Sequence, residues 1–244
     1  MTRKSILALA LAALVSWPGA KASVVITGTR VVFPSDSRDV SIRLSNNGET
    51  PALVQTWVDA GDTSIKPEDL DVPFSVSPSI FRIEPARTQV ARLVFLGAKL
   101  PQDRESVYWL NVLEIPPKAG ASTSDNYLQF AIKSRIKIFY RPGTLRSSPD
   151  SAPSMLKWTS VASPSGDATI AVENPSPFYV SFAEVRPRLA DGSELSPVNA
   201  MVAPFGTVSL NFKLKANSSS QPTRVLFKTV NDYGSFIDGA ADLQ

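Results

Sequence analysis

Short runs of alternating apolar and polar residues, each closed by a turn signal, recur along the chain beyond residue 22. The first series reads Ser23–Phe33, Val40–Ser45, Ala52–Asp59, Val90–Phe95, Val107–Ile115 and Tyr127–Tyr140. Turn signals such as Pro34-Ser35-Asp36, Asn46-Asn47-Gly48 and Asp59-Ala60-Gly61-Asp62 separate them. A period of two sends successive side chains to opposite faces, so such a run buries its apolar face only by joining a sheet that packs on another. No stretch beyond residue 22 sustains a 3.6-residue apolar period over three turns. These constraints point to an all-β chain built as antiparallel sandwiches of the immunoglobulin type.

After Arg141-Pro142 the texture changes to a Ser- and Pro-rich stretch, and a second strand series follows: Ala168–Glu173, Tyr179–Pro187, Thr207–Leu214 and Thr223–Val230. The expected organisation is an N-terminal sandwich over residues 23–143, a hinge over 144–153 and a second sandwich over 154–244, the two domains joined at an angle.

Residues 1–22 read differently. Arg3 and Lys4 precede an apolar run from Ile6 to Val15, Trp17-Pro18-Gly19 breaks it, and Ala20-Lys21-Ala22 supplies small residues where a signal peptidase needs them. This is the pattern of a secretory signal cut after Ala22. The apolar run is well short of the ~20 residues that span a bilayer, so no membrane insertion is expected. Arg3, Lys4 and Lys21 account for the formal charge of +3: without them 22 basic residues face 22 acidic ones. A neutral mature chain gives no reason to expect nucleic acid as a partner.

The chain has neither Cys nor His. Disulfides, thiolate nucleophiles, Cys- or His-ligated metals and Ser-His-Asp triads are therefore excluded, and no metal or cofactor is expected. Paired carboxylates remain the one route to an enzyme such as a glycosidase. The best acidic cluster, Glu68, Asp69 and Asp71, falls in a Pro-flanked loop.

The segment Leu100–Pro117 reads LPQDRESVYWLNVLEIPP, a charged turn leading into an aromatic-rich strand that two prolines end. It closely resembles the signature segment of the periplasmic pilus-assembly (fimbrial) chaperone family, with Glu105, Tyr108-Trp109, Asn111 and the final Pro-Pro matching without a gap. Tyr127–Pro142 resembles that family's last N-domain strand, Val230-Asn231-Asp232-Tyr233-Gly234 its final motif, and Gly28–Phe33 its first strand.

The resemblance implies a non-enzymatic periplasmic chaperone that lends a strand to pilus (fimbrial) subunits in a 1:1 complex and delivers them to an outer-membrane usher. It implies that Tyr127–Tyr140 is an exposed edge, which when unoccupied would pair with a second copy of the chain. Its apolar offering would be Leu128, Phe130 and Ile132, each worth roughly 1.5–3 kcal/mol when buried. Arg30 and Lys137 would anchor the C-terminal carboxylate of the subunit by charge-assisted hydrogen bonds. Glu105, Arg141 and Asp232 would form a salt-bridge network fixing the interdomain angle. The short connection Lys118–Asn126 and the missing Cys pair resemble the family's short-loop branch. Lys137 has the opposite parity to Leu128, Phe130 and Ile132, so bringing all four to one face requires a bulge or strong twist near Ser134. A pilin, or another exported immunoglobulin-like adhesin, is the alternative binding module; two strand series exceed the single domain of a pilin.

Overall fold

The computed structural model describes residues 23–115, 130–161, 167–214 and 220–244. The signal segment, the connection Lys118–Asn126 and Leu128 lie outside them. Two β-sandwiches make up the described chain, each with its own apolar core.

The first sandwich contains β1 (Val24–Ile26), β2 (Arg30–Pro34), β3 (Asp39–Asn46), β4 (Ala52–Asp59), β5 (Phe74–Ser77), β6 (Ile80–Ile83), β7 (Thr88–Phe95), β8 (Ser106–Ile115) and β9 (Ile132–Arg141). One sheet has the order β1-β3-β7-β5 and the facing sheet β2-β9-β8-β4-β6. The run Ser23–Phe33, expected as a single strand, is two strands in different sheets. Gly28 takes φ +99°, a left-handed conformation that only glycine adopts freely, and the chain crosses from one sheet to the other there. The crossing has a second consequence: β2 pairs with β9 in parallel, Arg30 opposite Lys137 through Pro34 opposite Arg141, in a fold expected to be antiparallel throughout.

Alternation explains the core. Val31 and Phe33 of β2, Leu110 and Val112 of β8, and Ile138 and Tyr140 of β9 all point inward. Phe33 is completely buried, its ring 5.3 Å from that of Phe74 and 6.2 Å from those of Phe95 and Tyr140. Truncating a phenylalanine so enclosed removes its transfer energy and leaves a cavity. Phe33→Ala should therefore lower the unfolding free energy by about 3–5 kcal/mol, measured by urea denaturation; a loss below about 1 kcal/mol would show that the site collapses around the gap.

The second sandwich sets β10 (Lys157–Val161), β11 (Ala168–Glu173) and β14 (Thr207–Phe212) against β13 (Val198–Val202), β12 (Val180–Leu189), β15 (Pro222–Val230) and β16 (Phe236–Asp242). Trp158 stacks on Phe227 at 5.1 Å in its core. Between the sandwiches, Pro149–Ser151 forms a 3-10 turn and Ala152–Met155 a single helical turn. Ala152 is already buried in the second core. The strands β10, β13 and β16 lack the alternation that marks the others in sequence, because each is short or faces solvent along most of its length.

Candidate functional site

Strand β9 is where the features expected of a working site converge. β2 covers its outer edge only from Lys137 to Arg141, so among the described residues Ile132–Ile136 have no neighbour on that side. The opposite edge pairs with β8 without interruption, from Ile132 opposite Glu114 to Tyr140 opposite Ser106. No bulge occurs at Ser134, so the expected break in parity is absent. Even-numbered residues face the interior side: Ile138 and Tyr140 fill the core, Ile136 packs against it, and Ile132 and Phe130 follow toward the open end. Phe130 is 69% exposed and Ile132 37% exposed, so these large apolar groups find little cover within the chain. Odd-numbered residues face the other way, toward the cleft between the domains. A strand with two working faces replaces the single shared face that the sequence suggested.

Open edges of this kind are normally blunted, because their unpaired N–H and C=O groups recruit other strands. Here the edge stops at the row occupied by Arg30 and Lys137, the first pair of the parallel β2–β9 ladder, whose side chains share the cleft face. Lys137 Nζ lies 3.2 Å from Ser181 Oγ of the second domain. Burial and then repulsion from Arg30 lower its pKa from the ordinary lysine range. Arg30 donates from Nη1 to the Val230 carbonyl at 2.7 Å and lies over the Phe139 ring at 5.7 Å. Its Nε is buried without a partner. Burial lowers the Arg30 pKa too, with Asp232 and Glu105 pulling the other way. Two cations sharing one partly buried row, one with an unused donor, form a preorganised receptor for an anion.

The three residues expected to tie the domains together do meet. Arg141 Nε donates to Glu105 Oε1 at 2.7 Å, and its two terminal nitrogens donate to Asp232 at 2.6 and 2.9 Å. Glu105 also accepts from the Tyr179 backbone N–H at 2.8 Å, while its own N–H donates to the Pro177 carbonyl at 2.9 Å. Burial pushes the Glu105 carboxyl upward against the pull of Arg141 and Tyr179 N–H. Burial acts against the Arg141 charge, but its hydrogen bonds to Asp232 and the attraction of Glu105 together raise its pKa. Phe139 and Tyr179 pack across the same junction with their rings tilted and 5.7 Å apart, and a cavity of about 590 Å³ opens beside them, lined by Arg30, Arg141, Tyr179 and Asp232.

Sequence reading missed the contributions of the second domain to this junction, namely Ser181, Tyr179 N–H and the Val230 carbonyl. Two of them are backbone atoms, and Ser181 lies in an unremarkable strand, so no residue pattern marks them. It also missed the ion pair of Asp59 with Arg135 on the cleft-side face of the same sheet, where Asn111 Nδ2 adds a hydrogen bond at 2.6 Å. Burial acts against the Asp59 charge, but Arg135, Asn111 and the Gly61 N–H lower its pKa overall. Among the described residues no group of three or more acidic side chains could hold a metal ion, and no helix is long and apolar enough to cross a membrane.

Comparison with known proteins gives this geometry its context. Residues 23–146 match the family described as "Pili and flagellar-assembly chaperone, PapD N-terminal domain", and residues 151–241 match "Pili assembly chaperone PapD, C-terminal domain". The probable fimbrial chaperone YadV of Escherichia coli K12 is 41% identical over 226 residues, covering 91% of this chain and 90% of that protein. The crystal structure of the Pseudomonas aeruginosa CupB2 chaperone superposes with a TM-score of 0.74 at 40% identity, over 90% of this chain and all of that one. The Salmonella enterica SafB chaperone, solved in complex with the SafA pilin, gives 0.75 at 26% identity over 93% of this chain and 99% of its own. With both family domains matched in order along one chain, the protein belongs to the pilus-assembly chaperone family, and it is a fimbrial chaperone rather than an enzyme.

Proposed function

We propose that this chaperone works in the periplasm by donor-strand complementation: it lends β9 to a pilus subunit that lacks a strand, anchors the subunit's C-terminal carboxylate on Arg30 and Lys137, and hands the subunit to an outer-membrane usher. The observation that carries the reading is the shape of the edge. It is open over Ile132–Ile136 and ends where β2 begins, at the cationic row. A subunit strand added parallel to β9 runs collinear with β2, and its last residue reaches Arg30 and Lys137. The SafB chaperone, with the same fold, was solved holding a pilin.

Both faces then have a task. Ile132 and Phe130 continue the inward parity of the core and fill the subunit's groove, and the sequence offers Leu128 for the same task. Lys137, one face over, takes the charge. Side-chain burial, about 1.5–3 kcal/mol for each apolar group, outweighs each ladder hydrogen bond at about 0.5–1.5 kcal/mol, so the apolar residues supply affinity and the anchor supplies register. Glu105, Arg141 and Asp232 hold the second domain so that Val230 and Ser181 orient the anchor.

The wild-type chain should co-purify 1:1 with a pilin from the periplasm. Phe130→Asp, at a position already exposed, should fold normally and lose that complex, because it places a charge in an apolar groove. Mass spectrometry of the pull-down and circular dichroism of the variant give both results. A Phe130→Asp chain that holds subunit as well as wild type would defeat the strand assignment.

A further inference from the structure

Glu114 occupies the last inward-facing position of β8. Leu110 and Val112, four and two residues earlier, are buried in the first core. Its neighbours across the sheet are Val54, fully buried on β4, and Ile132, the first residue of β9. A half-buried carboxylate is thus aimed at the open end of an apolar sandwich, where hydrogen-bond donors and a countercharge both favour it. Donors are present: the Ser23 hydroxyl donates to Oε1 and the Val24 N–H donates to Oε2 at 3.1 Å. The countercharge is not. Among the described residues no lysine or arginine forms an ion pair with Glu114.

We propose that Glu114 receives the α-ammonium group created at Ser23 when the signal is removed, and that this clip positions the start of the lent strand. The proposal rests on cleavage after Ala22. Ser23 is tightly located: its carbonyl accepts from the Asn47 N–H at 2.7 Å, and a Cβ on Gly48 would stand 2.6 Å from its own. The α-nitrogen is bonded to the Cα that also carries the Ser23 hydroxymethyl group, so it shares the small volume already touching the carboxylate. Val24 pairs with Asn46 of β3, in the sheet facing the one that holds Glu114. The clip therefore joins the two sheets at the end where β9 enters, and its carboxylate sits in the row of Ile132. An uncut chain offers a neutral amide at this point instead of an ammonium.

The surroundings do not compete for this role. Glu49 in the turn after β3, Glu84 and Arg87 between β6 and β7, and Lys133 on β9 are exposed, and none bonds to Glu114 or Ser23. Arg82 at the end of β6 pairs with Glu84, and Lys133 lies over the Trp57 ring on the opposite face of the sheet.

The test uses the chain as processed, beginning at Ser23, with two companions: Glu114→Gln, and a chain carrying one additional alanine before Ser23. NMR titration of the α-amino group should find its pKa above the ordinary range of about 7.7–8.0 in wild type, and returned toward that range in Glu114→Gln. An amine whose pKa is raised by folding contributes stability below its unfolded value and loses it as pH rises through the folded value. The wild-type Tm should accordingly fall by about 2–4 °C more than that of Glu114→Gln when the pH is raised from neutral to about 9.5. The alanine-extended chain keeps Glu114 but should lose this pH-dependent component, which a role in packing alone would not move. Equal α-amino pKa values in wild type and Glu114→Gln, or equal pH slopes in all three chains, overturn the clip. Intact-mass analysis of the periplasmic protein separates the two readings: a mature chain starting elsewhere than Ser23 overturns the clip through the cleavage step, whatever the titration gives.

Discussion

Lys137→Met should disrupt subunit capture while leaving the free chaperone at least as stable as wild type. The two halves of this expected result come from one electrostatic fact. Lys137 is partly buried beside Arg30, with a serine hydroxyl as its one hydrogen-bond partner among the described residues, and its pKa is lowered by burial first and by Arg30 second. A lysine whose folded pKa lies below its unfolded one opposes folding while it is charged, so its removal does not unfold the chain. In the complex the sign reverses. A carboxylate on the Arg30–Lys137 row favours the ammonium form, and deleting one cation from a desolvated charge pair costs about 2–5 kcal/mol, some 30-fold to several-thousand-fold in affinity. Arg30→Ala should share the binding loss, but it also removes the bond to the Val230 carbonyl, so some stability goes with it.

The same reasoning fixes the pH dependence. Affinity for subunit should be fully present while Lys137 is protonated and should fall as pH rises through its lowered pKa, before an ordinary lysine would titrate. Lys137→Arg stays charged throughout and should bind with a flat profile over that range. Calorimetric titration with a peptide of the subunit's C-terminal strand, across neutral to alkaline pH, measures both. If Lys137→Met binds as tightly as wild type, the anchor does not lie on this row.

Much of this site could be read from residues alone, and the limits of that reading are physical. Leu100–Pro117 and Tyr127–Pro142 carry local patterns dense enough to place β8 and β9, and Arg30, Lys137, Glu105, Arg141 and Asp232 sit within such patterns. Parity was legible too, and Lys137 does face away from Ile132; the error lay in requiring one shared face and hence a bulge. The crossing at Gly28 was not legible, because Ser23–Phe33 alternates well enough to pass for one strand and only the partners of Val24 and Arg30 reveal two sheets. The second-domain side of the cleft was invisible for a different reason. Backbone groups at Tyr179 and Val230 leave no trace in residue type, so a receptor assembled from them appears only when the chain is folded.

Arg141→Ala should be the most damaging single change at the junction, lowering the unfolding free energy by about 3–5 kcal/mol. Arg141 uses its guanidinium fork on two acids at once, with three hydrogen bonds between 2.6 and 2.9 Å. Glu105 is 3% exposed, so removing the arginine leaves a buried carboxylate with the Tyr179 N–H as its remaining close donor. Asp232 is more exposed and can recover water, so Asp232→Asn should cost markedly less, nearer the 0–1 kcal/mol of a surface pair. Arg141→Lys should fall between them, because one ammonium cannot reproduce the three-bond fork. The loss should reach binding as well. Glu105 is tied to Pro177 and Tyr179, and Asp232 adjoins the turn after Val230, so releasing Arg141 frees the carbonyl that orients Arg30. Urea denaturation of the three variants, read beside capture of the subunit peptide, distinguishes this from three independent surface charges. The rank order Ala, Lys, Asn in lost stability, with capture falling in the same order, is the expected outcome; equal losses below about 1 kcal/mol in all three would show that the network holds nothing in place.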